Sequence, residues 1–195
     1  ITNLVGFCDD GSTDAIAVSA PHRKNRQGSV YVYGCKDAQG GRPLINEWNG
    51  EHSYSLFGAG LTSFSVTDAE GAGIRTYILI GAPEKRNGLI PETGAVVLRE
   101  IHGNGNWKDV STLTPQVDKA GTQFGFSLAV GSRKVYASHA EVVLAAGAPG
   151  AIVDSVGSGK VYQWHPWVDG LVSNIAIAHS PIVRTNGARY GASMA

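Results

Sequence analysis

The residues best equipped for chemistry in this chain are few, and their spacing rarely supports the chemistry they suggest. "GSGK", Gly157 to Lys160, has the glycines and lysine with which a phosphate loop surrounds a polyanion. It lacks the leading glycine spacing, and it runs into the strand-like "KVYQW" where a phosphate loop would open a helix. A tight turn is expected there instead. Six histidines, His22, His52, His102, His139, His165 and His179, have the side chain used for general bases and metal ligands. None stands in an HExxH pair, and no GxSxG elbow offers a nucleophile. Asp9 and Asp10 are adjacent carboxylates, but neighbours on a strand point to opposite faces. No catalytic residue is assigned, and no enzyme is expected.

Cys8 and Cys35 are the only two cysteines, without CxxC or Cys/His zinc spacing. A pair confined to the first part of the chain suits a local disulfide formed in an oxidising compartment; two buried free thiols fit the sequence nearly as well. Lys plus Arg and Asp plus Glu number 16 each, so no net field draws the chain to nucleic acid or anionic lipid. The basic cluster "HRKNRQG", residues 22 to 28, is read as a solvated hairpin tip. No apolar run approaches the roughly 20 residues of a membrane-spanning helix, so this segment is not expected to insert into a membrane.

The elements that must position these residues are set by a repeat. "FGAGLTSFSV" begins at Phe57, "FGFSLAVGS" at Phe124 and "YGASMA" at Tyr190, in steps of 67 and 66 residues. Small-small-proline stops, "SAP" and "GAP", fall in the same phase at Ser19, Gly81 and Gly147. Each is followed by a glycine-led strand, "GSVYVYG" from Gly28, "GAVVLRE" from Gly94 and "GKVYQW" from Gly159, and then by a tryptophan: Trp48, Trp107 or Trp167. One unit therefore reads as four strands, with β-branched and aromatic residues punctuated by glycine and proline. No segment carries a capped 3.6-residue apolar stripe, and almost no helix is expected. "TYILIGAP" and "EVVLAAGAP" are continuous apolar runs, as in strands whose sheet is covered on both faces. The expected fold is all-β, with four-stranded antiparallel sheets stacked radially as the blades of a β-propeller. The units are an incomplete first blade at 1–56, a second at 57–123, a third at 124–189 and the start of a further blade at 190–195.

With its phased aromatic-Gly, GAP, Gly-strand and Trp positions, the whole chain resembles the FG-GAP repeat, the blade unit of the integrin α-subunit N-terminal β-propeller. The resemblance implies a seven-bladed ring, of which about three blades stand here, and neighbouring segments or subunits that complete it. The aromatic-Gly pair precedes the GAP glycine by 24 and 23 residues in the full repeats, which would place the partner of Ser19 before Ile1. A chain that starts and stops mid-repeat is expected to be a segment of a longer protein. Many members of the family hold Ca2+ between the first and second strands, in a loop of alternating oxygen ligands. Asp10-Gly11 and Asp14 of "CDDGSTD", with Asp9 beside them, resemble the latter half of that loop, while Gly6 and Cys8 stand where the first ligands would be. A surface Asx-type turn is the leading reading of Asp9, Asp10 and Asp14, with calcium the alternative. The corresponding "TDAEGAGIR" and "SRKVYASHAE" of the next units do not match.

The resemblance implies an extracellular, cell-surface or secretory-lumen recognition module of adhesion type, binding a protein or glycan ligand. The loops that vary between units, 22–28, 68–76, 84–93 and 150–158, are the expected carriers of that function. A structural building block of a larger cell-surface assembly and an accessory propeller of a hydrolase are the alternatives. Trp48, Trp107 and Trp167 share the repeat phase and are expected to pack the outer strands; Trp164 breaks it, and ordinary packing is its leading reading, with exposure for carbohydrate or partner contact the alternative.

Overall fold

The computed structural model describes residues 1–5, 7–8, 14–67, 74–102, 106–115, 119–136, 139–153, 155–164, 166–168, 171–172, 177–179 and 187–194. The strands form three four-stranded sheets, all antiparallel. The first is a meander of β1 (Thr2–Leu4), β2 (Ala15–Ala20), β3 (Ser29–Tyr33) and β4 (Leu44–Asn49). The second repeats it with β5 (Leu61–Thr67), β6 (Ile74–Ala82), β7 (Ala95–Ile101) and β8 (Trp107–Leu113). The third uses β9 (Leu128–Tyr136) and β10 (His139–Ala148), then the small hairpin of β11 (Ile152–Val153) and β12 (Val156–Gly157), then β13 (Lys160–Trp164). A second hairpin of β14 (Pro166–Val168) and β15 (Leu171–Val172) precedes its last strand, β16 (Ile177–His179). The one helical element among the described residues, Arg23–Arg26, is a turn wound left-handed at Lys24 and Asn25.

The second sheet lies between the other two, and the period of a strand explains its sequence. Ile78, Ile80, Ala82, Val97 and Ile101 share one apolar cluster with Leu4, Ala17, Val30, Val32 and Trp48 of the first sheet. The alternate residues, Tyr77, Leu79, Val96 and Leu98, share another with Leu144, Ala146, Tyr162 and Trp164 of the third. Successive side chains point to opposite faces, so a strand packed on both sides is apolar at every position. Full burial of each large side chain contributes about 1.5–3 kcal/mol, and the middle sheet gains it on two faces.

Successive sheets are joined by the same contact each time. The amides of Phe57, Phe124 and Tyr190 donate to the carbonyls of Gln27, Thr93 and Ser158 at 3.1, 3.1 and 2.9 Å. The next residue in each case is Gly28, Gly94 or Gly159, where a Cβ would lie 2.2, 2.1 or 2.3 Å from the aromatic residue's carbonyl oxygen. The small-small-proline stop lies beside it. A Cβ on Gly81 would meet the carbonyl oxygen of Gly125 at 1.9 Å, and one on Gly147 that of Gly191 at 1.8 Å. The glycine is therefore dictated by the backbone of the next unit. After it Ala82 and Ala148 make the last rungs of their ladders, opposite Ala95 and Lys160, and the proline that follows has no N–H to extend them.

Candidate ligand groove

Antiparallel meanders send alternate connections to opposite ends. The connections after β2, β6 and β10 emerge at one end, together with the 50–60 segment that leads from β4 to β5. Three of the four variable loops, 22–28, 84–93 and 150–158, are therefore on one face. The fourth, 68–76, has only residues 74–76 within the described part, and these begin β6 at the other end.

On the shared face the first two units interlock. The amide of Tyr54 donates to the carbonyl of Asn25 at 3.2 Å and that of Leu56 to Arg26 at 2.9 Å. Ser55 Oγ donates to the carbonyl of Gln27 at 2.8 Å, and the amide of Glu84 to that of Ser55 at 3.3 Å. Across the seam Arg26 Nη2 meets Glu84 Oε1 at 2.7 Å, and Lys85 Nζ meets Glu51 Oε2 at 2.9 Å. The backbone bonds fix the floor, and the exposed ion pairs add at most about 1 kcal/mol each. Above that floor is a groove of about 400 Å³, lined by Arg26, Tyr54, Glu84, Arg86, Pro91 and Glu92. That volume lies within the range of small-ligand sites. A two-bond hairpin between Asn87 and Ile90 rises beside it and holds Leu89 at its tip, 95% exposed.

Tyr54 is the residue that the repeat does not explain. Three positions before each docking aromatic, the second and third units have Gly121 and Gly187, at φ 74° and 79°. The first unit has Tyr54 at φ 65°, with its side chain in the groove and 59% exposed. A bulky residue in the left-handed region costs roughly 1–3 kcal/mol, and such strain concentrates at functional sites. The signal was present in the sequence as a tyrosine where its two counterparts are glycine, yet it emerges only once the turn geometry is known.

The other sites singled out in the sequence are placed as follows. Cys8 and Cys35 form a disulfide that ties the β1–β2 connection to the end of β3, at the end opposite the groove. Asp9 and Asp10 lie outside the described residues. Asp14 precedes β2, and its carbonyl accepts a hydrogen bond from Arg42. Among the described residues no three His, Cys, Asp or Glu side chains are grouped to hold a metal. The basic cluster is not free: Arg23 and Lys24 contact Glu47 at 3.1 and 3.4 Å, and the Arg23 guanidinium lies 5.1 Å from the centre of the Tyr31 ring. Partial burial would raise the pKa of Glu47, but the hydrogen bond from Lys24 and the charges of Arg23 and Lys24 outweigh it and hold the carboxyl below its ordinary value.

Trp164 is 1% exposed and packs on Phe124 at 5.3 Å, so ligand contact by this residue is ruled out and its role is packing. Trp48 and Trp107 meet edge to face at 5.7 Å across the first two sheets. The side chain of Trp167 lies outside the described residues. No helix among the described residues is long and apolar enough to cross a membrane, which together with the disulfide is compatible with an extracellular or lumenal location. No known family model matches the chain, and no curated protein sequence matches it at a significant level.

Proposed function

We infer that the chain forms consecutive blades of a β-propeller of FG-GAP type that serves as an extracellular or lumenal recognition module, binding a protein or glycan in the groove of its loop face. The observation that carries this reading is Tyr54, a strained, exposed aromatic held in a groove between two units whose remaining contacts repeat. The propeller part is supported by three meander sheets of one topology and by the docking bond that recurs at Phe57, Phe124 and Tyr190. Rigid repeated strands beneath divergent loops are the usual arrangement of a binding scaffold. The experiment is a Tyr54→Gly variant compared with the parent chain in thermal melts and on a glycan and protein-ligand array. Relief of strain is expected to raise stability by about 1 kcal/mol, while any ligand retained by the parent is lost. A variant that is less stable and binds equally well would overturn the reading.

A structural building block of a larger assembly is the second reading. It is favoured by Tyr190 and Gly191, which dock on the third sheet as Phe57 and Phe124 dock on the sheets before them.

A further inference from the structure

Five residues beyond the glycine that leads the third strand, the three units have Tyr33, Arg99 and Trp164. In the third unit that position faces the second sheet and is filled by Trp164. In the second unit it faces the first sheet, and an arginine stands there. The Arg99 guanidinium carbon lies 4.2 Å from the centre of the Trp107 ring, 4.9 Å from that of Trp48 and 5.8 Å from that of Phe57. Its Nε donates to Asp109 Oδ1 at 2.7 Å, and its side chain is only 12% exposed. Its Nη1 is buried and has no hydrogen-bond partner among the described residues; the same holds for Nε1 of Trp48 beside it. Two orphaned N–H donors in one aromatic box are a costly arrangement, because each has lost its water without gaining a partner.

Beside the box is a cavity of about 50 Å³ between the first two sheets, with Asn49, Ser55, Lys85, Arg99, Asp109 and Thr112 in its wall. It has room for about three water-sized groups. Lys85 is held by Glu51 and Asp109 by Arg99 Nε, so the unmatched demand is for an acceptor at the guanidinium edge. A small planar monoanion meets that demand. A phosphate dianion would bring a second charge against the carboxylates of Glu51 and Asp109, which also border the space. Trp107 does not line the cavity itself, but it stacks on the same guanidinium at 4.2 Å and is 40% exposed, which leaves an apolar surface next to the anion site for the body that carries the anion.

We propose that this cavity is a binding site for the carboxylate of an acidic sugar, with one carboxylate oxygen accepting a hydrogen bond from Arg99 Nη1 and the sugar ring lying against Trp107. The cavity shares no lining residue with the loop-face groove, although Ser55, Glu51 and Lys85 in its wall belong to the seam beneath that groove. The test is titration of the full chain with D-glucuronate, read by the indole N–H signals of Trp48 and Trp107 in NMR spectra. D-Glucose and N-acetyl-aspartate serve as the neutral and the peptide-like probes. A saturable shift with glucuronate is expected, absent with glucose and at least tenfold weaker in affinity in Arg99→Lys, which keeps the charge but loses the guanidinium edge. Should that variant not fold, Thr112→Val leaves the aromatic box in place and is expected to bind severalfold more weakly. No shift with glucuronate, an equal response to glucose, or a preference for N-acetyl-aspartate would overturn the proposal. So would a crystal soaked in glucuronate whose cavity contains ordered water only.

Discussion

Where the second and third sheets meet, Leu113, Phe124 and Trp164 belong to one buried apolar cluster. Where the first and second meet, the residues in the same phase are Trp48, Phe57 and Arg99. The frames agree in detail: Trp48 pairs with Val30 as Leu113 pairs with Val96, so Leu113 and not Trp107, which pairs with Ile101, is the counterpart of Trp48, and the aromatic of the following unit docks by the same backbone bond. The fillings differ. One interface sets Trp164 on the third strand and Leu113 on the fourth into a single buried apolar cluster. The other sets a tryptophan on the fourth strand against a guanidinium on the third and leaves a polar cavity. The repeat thus fixes how close the sheets come, and the side chains decide whether the gap becomes core or site. Tyr54 makes the same point on the loop face, where it replaces the glycine of the other units.

The shared frame should break first. Gly81→Ala or Gly147→Ala drives a Cβ into a backbone carbonyl that no side-chain rotation can clear, and a loss of about 4 kcal/mol or more is expected in denaturant unfolding. Ser19 already carries a Cβ at the equivalent position, so Ser19→Ala should change stability by no more than about 0.5 kcal/mol. Equal losses at all three positions would deny that the glycines are dictated by the neighbouring unit.

The disulfide belongs to the first unit alone. It closes a sequence separation of 27 residues, for which chain entropy gives about 3.5 kcal/mol. Replacing Cys8 and Cys35 together by alanine should lower stability by about 2–4 kcal/mol and remove the sensitivity to reductant expected of the parent chain.

The smallest effect belongs to the cluster of Glu47 with Arg23 and Lys24. Its carboxyl is held below the ordinary 4.5, so the stabilisation is fully present above that value and is lost as pH falls through the lowered folded-state pKa. Parent and Glu47→Gln melts should differ slightly at about pH 6, and the difference should fade as pH drops below the ordinary carboxylate value or as salt is raised.

The strands and their grouping were legible because glycine, proline and aromatic positions recur in phase, and because the runs "TYILI" and "VVLAA" could only belong to strands with apolar surroundings. β6 bears this out most fully, with Thr76 to Ala82 all buried. Sequence spacing left the cysteine pairing open, since it depends on β1 and β3 flanking β2, a neighbourhood created by the meander. The groove was legible only as a set of variable loops. Which of them share a face follows from strand direction, and that separates 68–76 from the other three. Arg99 gave no signal of its own, because an arginine on a strand ordinarily reads as solvent-facing; only the covering first sheet turns it inward. Trp164 leaves the tryptophan phase and is still core, so its ordinary-packing reading holds and the departure marks a packing solution rather than an exposed ring.

The most direct test of the contrast between the two interfaces is a paired unfolding experiment on Arg99→Met and Trp164→Met without ligand. If Arg99 is kept as a site despite its burial, removing its charge should leave stability unchanged or raise it by about 1 kcal/mol, because an apolar side chain of similar length no longer leaves a donor unsatisfied. Trp164→Met, which opens a void in a buried apolar cluster, should cost about 2–4 kcal/mol. Comparable losses in the two variants would contradict the account, since Arg99 would then be ordinary packing in the same way as Trp164.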